Sequence, residues 1–238
     1  MPDRHTLLCI QALHAAYPDG TMALKGMDLS VPEGAKVALL GANGSGKTSL
    51  MLAVMGALPA MEGRVVVDGI EVGRKTLNDV RRRCGMVFQQ ADDQLFMPTL
   101  LEDAAFGPLN HGQSAHQAVE LARKALADVG LAGLEGKSGH HLSDGQKRSA
   151  SLATVLSMQV KLLLLDEPAA NLDARSRGRL IALLRQRPET MLIATHDLPL
   201  GEALCDVAVV VSAGRIAAVG PCAEILRNTP LLQEHGLI

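Results

Sequence analysis

Lys36–Thr48 reads KVALLGANGSGKT, and the fold turns on how this stretch is read. Lys36–Leu40 is a short apolar run, the size of a buried parallel strand. Gly41, Gly44 and Gly46 then allow a tight backbone turn where a Cβ would block the close approach of a ligand. Lys47-Thr48 opens an apolar helix expected to run to about Ala57. The spacing Gly-x-x-x-x-Gly-Lys-Thr is that of a phosphate-binding loop. Strand, loop and helix stand in register, which separates this reading from a Gly-rich turn without a ligand. The amides of residues 43–48 are expected to point into one concavity at a helix N-terminus, which favours anions. Lys47 reaches terminal phosphates from there. The Thr48 hydroxyl suits Mg²⁺, which keeps most of its waters and takes few protein ligands.

Working outward, Leu7–Tyr17 and Ala23–Val31 read as strands split by the turn Pro18-Asp19-Gly20. Two strands with no helix between them imply an antiparallel pair beside the main sheet. Tyr17, the one tyrosine of the chain, lies just upstream of the loop. It could lay its ring on a base or be a surface residue at a strand end, and position alone leaves both open. Gly63–Val72 reads as a hairpin turning at Asp68-Gly69. Cys84–Gln90 is a further strand ending in two glutamines. From Thr99 to Leu134 the apolar spacing becomes helical, with helices over Leu100–Leu109 and Ser114–Val129. This block reads as a helical insertion between two halves of an α/β pattern.

His141-Leu142-Ser143-Asp144-Gly145-Gln146 follows. Ser143 and Gln146 have capping-box spacing before a helix over Lys147–Met158, and Gly145 leaves the backbone open to a second anion. Lys161–Pro168 (KLLLLDEP) is a buried strand ending in carboxylates. Asp166 sits at its C-terminal edge, where open α/β sheets bind ligands, and could hold Mg²⁺ through water. Glu167 points another way and can address a different atom. The bland alternative is a pair of carboxylates capping the next helix. Asn171-Leu172-Asp173 precedes a helix over Ala174–Gln186, and the strand Met191–Thr195 ends at His196. A lone histidine there is ordinarily polar surface, but this strand is expected to neighbour Asp166, which makes a phosphate contact plausible. Ala208–Ser212 and Arg215–Val219 form a closing hairpin, and short helices end the chain.

Composition bounds the alternatives. The 238 residues suffice for one or two domains. No apolar run approaches the about 20 residues needed to cross a bilayer. Met1–Thr6 carries charges and no apolar core of a leader, so a cytosolic chain is expected. Lys+Arg of 23 against Asp+Glu of 25 gives no basic excess for nucleic acid. Arg81-Arg82-Arg83 reads as a solvated helix end. Cys9, Cys84, Cys205 and Cys222 lack C-x-x-C spacing and read as reduced, small apolar residues.

The order of these segments resembles the ATP-binding subunit of an ABC transporter over essentially the whole chain. GANGSGKT at 41–48 resembles the Walker A loop, LLLLDEP at 162–168 Walker B with its catalytic glutamate, and NLD at 171–173 the D-loop. Gln89 falls at the Q-loop glutamine, LSDGQ at 142–146 at the signature, His196 at the switch histidine, and Tyr17 where an aromatic stacks on adenine. VFQQADDQLFMPTLLEDAAFGPLN at 87–110 and AYPDGTMALKGMDLSV at 16–31 are similar to the ATPases of energy-coupling-factor importers, especially the cobalt and nickel branch.

The resemblance implies an α/β P-loop NTPase of ABC type spanning 1–238. It would have a mixed core sheet, an antiparallel β subdomain and a helical subdomain inserted at about 91–140. ATP and Mg²⁺ are the implied cofactors. The phosphates would lie on Gly41, Ala42, Asn43, Gly44, Ser45, Gly46, Lys47, Thr48 and Ser49, with the metal on Thr48, Gln89 and Asp166. Glu167, His196 and Lys47 would be catalytic, and Ser143, Gly145 and Gln146 would complete the ATP site of a second ATPase subunit, identical or not. A multispanning membrane subunit is the other implied partner, and the ATPase would sit peripherally on the inner face of the membrane. Transport through another ABC importer or exporter, or a soluble non-transport ABC protein, is the alternative.

Three positions depart from the family pattern. Asp144 replaces the signature's first glycine, and a carboxylate facing phosphate would cost about 1 kcal/mol if solvated, so its side chain is expected to point away. Ser149 stands where an arginine often follows the signature, with Arg148 one residue early. Asn171 replaces the usual D-loop glycine, and asparagine tolerates left-handed backbone.

Overall fold

The structure, a computed structural model, describes residues 6–238; residues 1–5, on which the expectation about a leader partly rests, lie outside the described residues. The chain up to Cys84 together with Pro188–Ile238 forms one compact unit, and Gly85–Arg187 forms a second.

In the first unit, β1 (Thr6–Ala16) and β2 (Met22–Pro32) pair antiparallel across the Pro18-Asp19-Gly20 turn. β3 (Lys36–Leu40) has the expected bounds, and Val37–Leu40 are all buried. α1 (Lys47–Val54) follows the loop and stops short of the expected Ala57. Gly56 takes a left-handed φ of 65° there. The amides of Gly56 and Ala57 turn back onto the carbonyls of Ala53 and Leu52, closing the helix end. β4 (Glu62–Val67) and β5 (Ile70–Glu71) form the predicted hairpin, with both turn residues at positive φ, Asp68 at 50° and Gly69 at 77°. The sheet order β2-β1-β4-β5 is the separate antiparallel sheet that the sequence implies. α2 (Leu77–Arg81) ends in the arginine run, where Arg83 Nε pairs with Asp68 Oδ2 at 2.9 Å.

The second unit starts on β6 (Cys84–Val87), which ends three residues before the expected Gln90. The reason lies in side chains that capture the next backbone groups. The Phe88 amide donates to Gln94 Oε1, and the Phe88 and Gln89 carbonyls accept from the Arg148 guanidinium. α3 (Leu100–Asn110) and α4 (Ala115–Asp128) match the helical periodicity, capped by Thr99 and by a Ser114/Gln117 capping box. α5 (Asp144–Leu156) begins three residues before the expected Lys147. Ser143 is its N-cap, with Ser143 Oγ accepting from the Gln146 amide and Gln146 Oε1 accepting from the Ser143 amide. β7 (Leu162–Asp166), buried throughout, lies beside β6. α6 (Ala174–Gln186) has the predicted bounds.

The first unit resumes with β8 (Thr190–Thr195), every residue buried. α7 (Leu198–Leu204) was not legible from periodicity; it is short, and Asp197 caps it by accepting from the Leu200 amide. β9 (Val207–Ser212) and β10 (Arg215–Pro221) form the closing hairpin, followed by α8 (Cys222–Arg227) and α9 (Thr229–Glu234). β3 runs parallel to both β8 and β9, and β10 runs antiparallel to β9, so the sheet is mixed as expected. Parallel strands sheathed on both faces read as unbroken apolar runs, which is why KVALL and MLIAT carry no alternation. Among the described residues no helix is long and apolar enough to cross a membrane.

Within the second unit, Asp103 of α3 is 3% exposed. Its Oδ1 accepts from the Phe96 and Met97 amides, while its Oδ2 is buried without a partner. Burial raises its pKa, against the pull of the two amides, and the Glu102 charge adds to the rise. A carboxyl raised in the folded state favours folding most below the ordinary carboxylate range, and that contribution is lost as pH climbs through the raised value. Urea midpoints of the wild type should therefore decline over that interval. Asp103→Asn should flatten the decline, and a variant with the wild-type slope would exclude Asp103 as its source.

Candidate functional site

The first unit assembles the phosphate loop from the end of β3. Gly41 leaves the strand where a Cβ would run into the Val211 carbonyl and come within 2.5 Å of Ser45 Oγ, so the residue must be glycine for the loop to close. Gly46 is the N-cap of α1 at a φ of 113°. Lys47 is 6% exposed, and its Nζ donates to the Gly41 carbonyl at 2.7 Å and the Ala42 carbonyl at 3.1 Å. The ammonium is thus folded over its own loop. Ser45 Oγ is buried with no hydrogen-bond partner. An orphaned hydroxyl beside a buried cation and a helix N-terminus fits an anion that supplies acceptors. One detail departs from the expected ring of amides: Ser45 N–H donates to the Ala42 carbonyl at 3.2 Å, closing a turn instead of facing the concavity.

Tyr17 directly follows β1 and is 38% exposed, and its hydroxyl meets Ser49 Oγ on α1 at 2.8 Å. That bond ties the Tyr17 side chain to the loop helix, so Tyr17 is not a free residue at a strand end. His196 is exposed directly after β8, and the following Asp197 donates its amide to Thr195 Oγ1 before capping α7. Asn43, Gly44 and Ala42 are exposed at the loop crest, and Thr48 lies half-buried in the first turn of α1.

The second unit carries the other named residues. Asp166 is the last residue of β7 at 2% exposure, and Glu167 follows at 6%. Glu167 holds a φ of 46°, a left-handed conformation that costs a non-glycine residue about 1–3 kcal/mol and clusters at active sites. Asn171 adopts a φ of 62°, the conformation for which asparagine suits a glycine's place. Gln89 is exposed just past β6. Ser143 and Gln146 spend one side-chain acceptor each on the α5 capping box. Asp144 is exposed at the first position of α5, where a negative charge also suits the helix dipole. Gly145 meets nothing in its own unit that forbids a side chain: an added Cβ would lie 3.6 Å from Leu172 Cδ2 and Ser176 Oγ.

Thr48 of the first unit, and Gln89 and Asp166 of the second, each carry an oxygen donor of the type that Mg²⁺ takes. Among the described residues there is no cluster of three or more His, Cys, Asp or Glu side chains that could hold a metal ion. The cysteines are free, and burial pushes the Cys84 and Cys205 thiols up to about 12, in keeping with small apolar residues.

The sequence marks Arg148 as an arginine one residue early, but its partners were not foreseen. Ser149 stands at the place for an arginine, yet Arg148 is the buried one, 7% exposed, bound to the Phe88 and Gln89 carbonyls. The signal was available: Arg148, Ser151, Leu152 and Val155 share helical spacing on the buried stripe of α5, and a charge on such a stripe demands partners.

A family profile described as ABC transporter matches residues 24–170. The cobalt import ATP-binding protein CbiO of Rhodobacter capsulatus is 42% identical over 236 residues, covering 97% of this chain and 84% of its own length. The energy-coupling factor transporter ATP-binding protein EcfA of Methanosphaera stadtmanae is 40% identical over 237 residues, covering 98% of this chain and 85% of its own. Among solved structures, cbiO1 of Clostridium perfringens, part of the ABC transporter complex cbiONQ, superposes with a TM-score of 0.83 at 33% identity, covering 98% of this chain and 95% of that one.

The two glycines should respond oppositely to alanine. Gly41→Ala should lower the melting temperature markedly, because its Cβ meets backbone. Gly145→Ala should leave it unchanged or raise it, since alanine is favoured over glycine within a helix by about 1 kcal/mol. A Gly145→Ala variant that melts well below wild type would show that the fold itself requires that glycine.

Proposed function

We propose a specific role from one premise: the chain belongs to the ABC transporter family, and it is an ATP-binding subunit of the kind that hydrolyses ATP. The proposed role is to power membrane import through an energy-coupling-factor transporter, of cobalt or nickel ions or of a vitamin. The observation that carries this is the near full-length likeness to CbiO and EcfA at 40–42% identity. The whole of 1–238 would act as one nucleotide-binding domain, with a helical subdomain over about 91–140. It would work from the cytoplasmic face of the membrane.

The roles follow from the chemistry of the side chains. The triphosphate lies on residues 41–49, where Lys47 exchanges loop carbonyls for phosphate oxygens and Ser45 Oγ gains an acceptor. Adenine stacks on Tyr17. Thr48, Gln89 and Asp166 are the proposed Mg²⁺ ligands, and the metal when bound neutralises phosphate charge. Glu167 polarises the attacking water, and His196 positions that water and the γ-phosphate. Charge stabilisation and positioning are what a loose phosphoryl-transfer transition state requires. Ser143, Gly145 and Gln146 would close over ATP held by a second ATPase subunit. ATP then favours the closed pair because it binds it better than the open one.

The membrane partner is the proposed occupant of the aromatic face of the second unit. All three phenylalanines of the chain lie in that unit and are exposed: Phe88 at 38%, Phe96 at 62% and Phe106 at 41%. Phe96 and Phe106 stack edge to face with ring centres 5.1 Å apart. A chain with so few aromatics that exposes every phenylalanine on one unit has a surface suited to an apolar contact.

Glu167→Gln should reduce ATP hydrolysis by about 100-fold or more, the scale of a lost general base, while ATP-dependent dimerisation persists. Turnover equal to wild type would remove Glu167 from its role. Isolation from detergent-solubilised membranes should yield a multispanning subunit, with or without a second ATPase chain, and Phe96→Ser should weaken that association. Recovery with ribosomal proteins or DNA in place of a membrane subunit would overturn the transport reading.

A further inference from the structure

We infer that Arg148 is a positioning residue for the metal-binding end of the site: from the signature helix, its guanidinium fixes the backbone that presents Gln89. The inference deepens the nucleotide-site reading above and rests on it.

Arg148 Nη1 donates to the Phe88 carbonyl at 2.7 Å, and Nη2 donates to the Gln89 carbonyl at 2.5 Å. A planar fork spans two successive carbonyls in a way that a lysine ammonium cannot. The same stretch is held from its amide side. Gln94 Oε1 accepts from the Phe88 amide at 3.1 Å, while Gln94 Nε2 donates to the Ser151 carbonyl at 3.0 Å and to Thr154 Oγ1 at 2.7 Å. A third tie is Lys147 Nζ to Asp92 Oδ1 at 2.6 Å. Residues 88–94 are therefore bound to α5 through Lys147, Arg148, Ser151 and Thr154, two turns of one helix.

The guanidinium is costly to bury, and burial lowers its pKa; the charges of Asp166 and Glu167 act in the opposite direction. So the cation that seats the Gln89 backbone also lies in the field of the two carboxylates that flank the reaction. The segment it grips carries Phe88, and the aromatic pair begins a few residues on at Phe96. A push on Phe88 therefore bears on backbone that Arg148 ties to α5. Arg148 makes one piece of three parts that the sequence lists separately.

The test is the Mg²⁺ dependence of ATP hydrolysis by the purified full chain, for wild type, Arg148→Lys, Gln89→Ala and the double variant, with nucleotide binding measured without metal alongside. Arg148→Lys should raise the Mg²⁺ concentration for half-maximal rate by about tenfold, the scale of a lost charged hydrogen bond, with metal-free binding unchanged. The double variant should need no more Mg²⁺ than Gln89→Ala alone, since both changes act on one ligand. Gln94→Met, which cuts the amide-side tie and spares the charge, should shift the demand in the same direction. Overturning results are an Arg148→Lys profile equal to wild type, a lower kcat with unaltered Mg²⁺ demand, or losses that multiply independently of Gln89. A wild-type chain that takes up no ATP would instead bring down the ATPase reading itself.

Discussion

A lysine ammonium buried against the carbonyls of its own loop is the constraint on which the site depends. Burying a cation is costly unless it is hydrogen-bonded, and Lys47 is satisfied by Gly41 and Ala42. That arrangement requires a loop folded tightly enough for its carbonyls to turn inward. Gly41 supplies the turn, and β3, locked between β8 and β9, supplies a rigid anchor for it. A phosphate entering the loop offers the ammonium stronger acceptors than carbonyls, and offers Ser45 Oγ the partner it lacks. The loop is therefore prepared for an anion before one arrives.

Most of this was legible in the sequence, because the deciding segments have only one periodicity open to them. KVALL and LLLLD are too short and too apolar for anything but sheathed strands, apolar spacing announces α3 and α4, and the Ser143/Gln146 spacing announces a helix start. The errors fall where tertiary partners override local pattern. α1 ends early because Gly56 can turn left-handed. β6 ends early because Arg148 and Gln94 take the backbone groups that a strand would offer its neighbour. α5 starts early because the cap at Ser143 sets the first turn, whatever the apolar spacing says. α7 is too short to show a period at all. Candidate-site residues were found by motif, whereas the motif offset places Arg148 without showing its burial, which only the helical stripe of α5 discloses.

Both units use backbone as well as side chains as functional material. In the first, loop carbonyls hold the Lys47 ammonium beside the start of α1. In the second, successive carbonyls beyond β6 are gripped by an arginine, and Gly145 keeps the start of α5 bare although nothing nearby requires it. Asp144 departs from the family pattern at that same helix start, and its exposed position is compatible with a charge that solvent screens.

The left-handed backbone at Glu167 has an evolutionary consequence. Glycine or asparagine would rest more easily in that conformation, so under the role proposed for it Glu167 would be retained for turnover at the expense of folding. In a duplicated copy that has lost its catalytic duty, this position is where drift should begin. A lineage of such chains would record, at one site, whether each descendant still burns nucleotide.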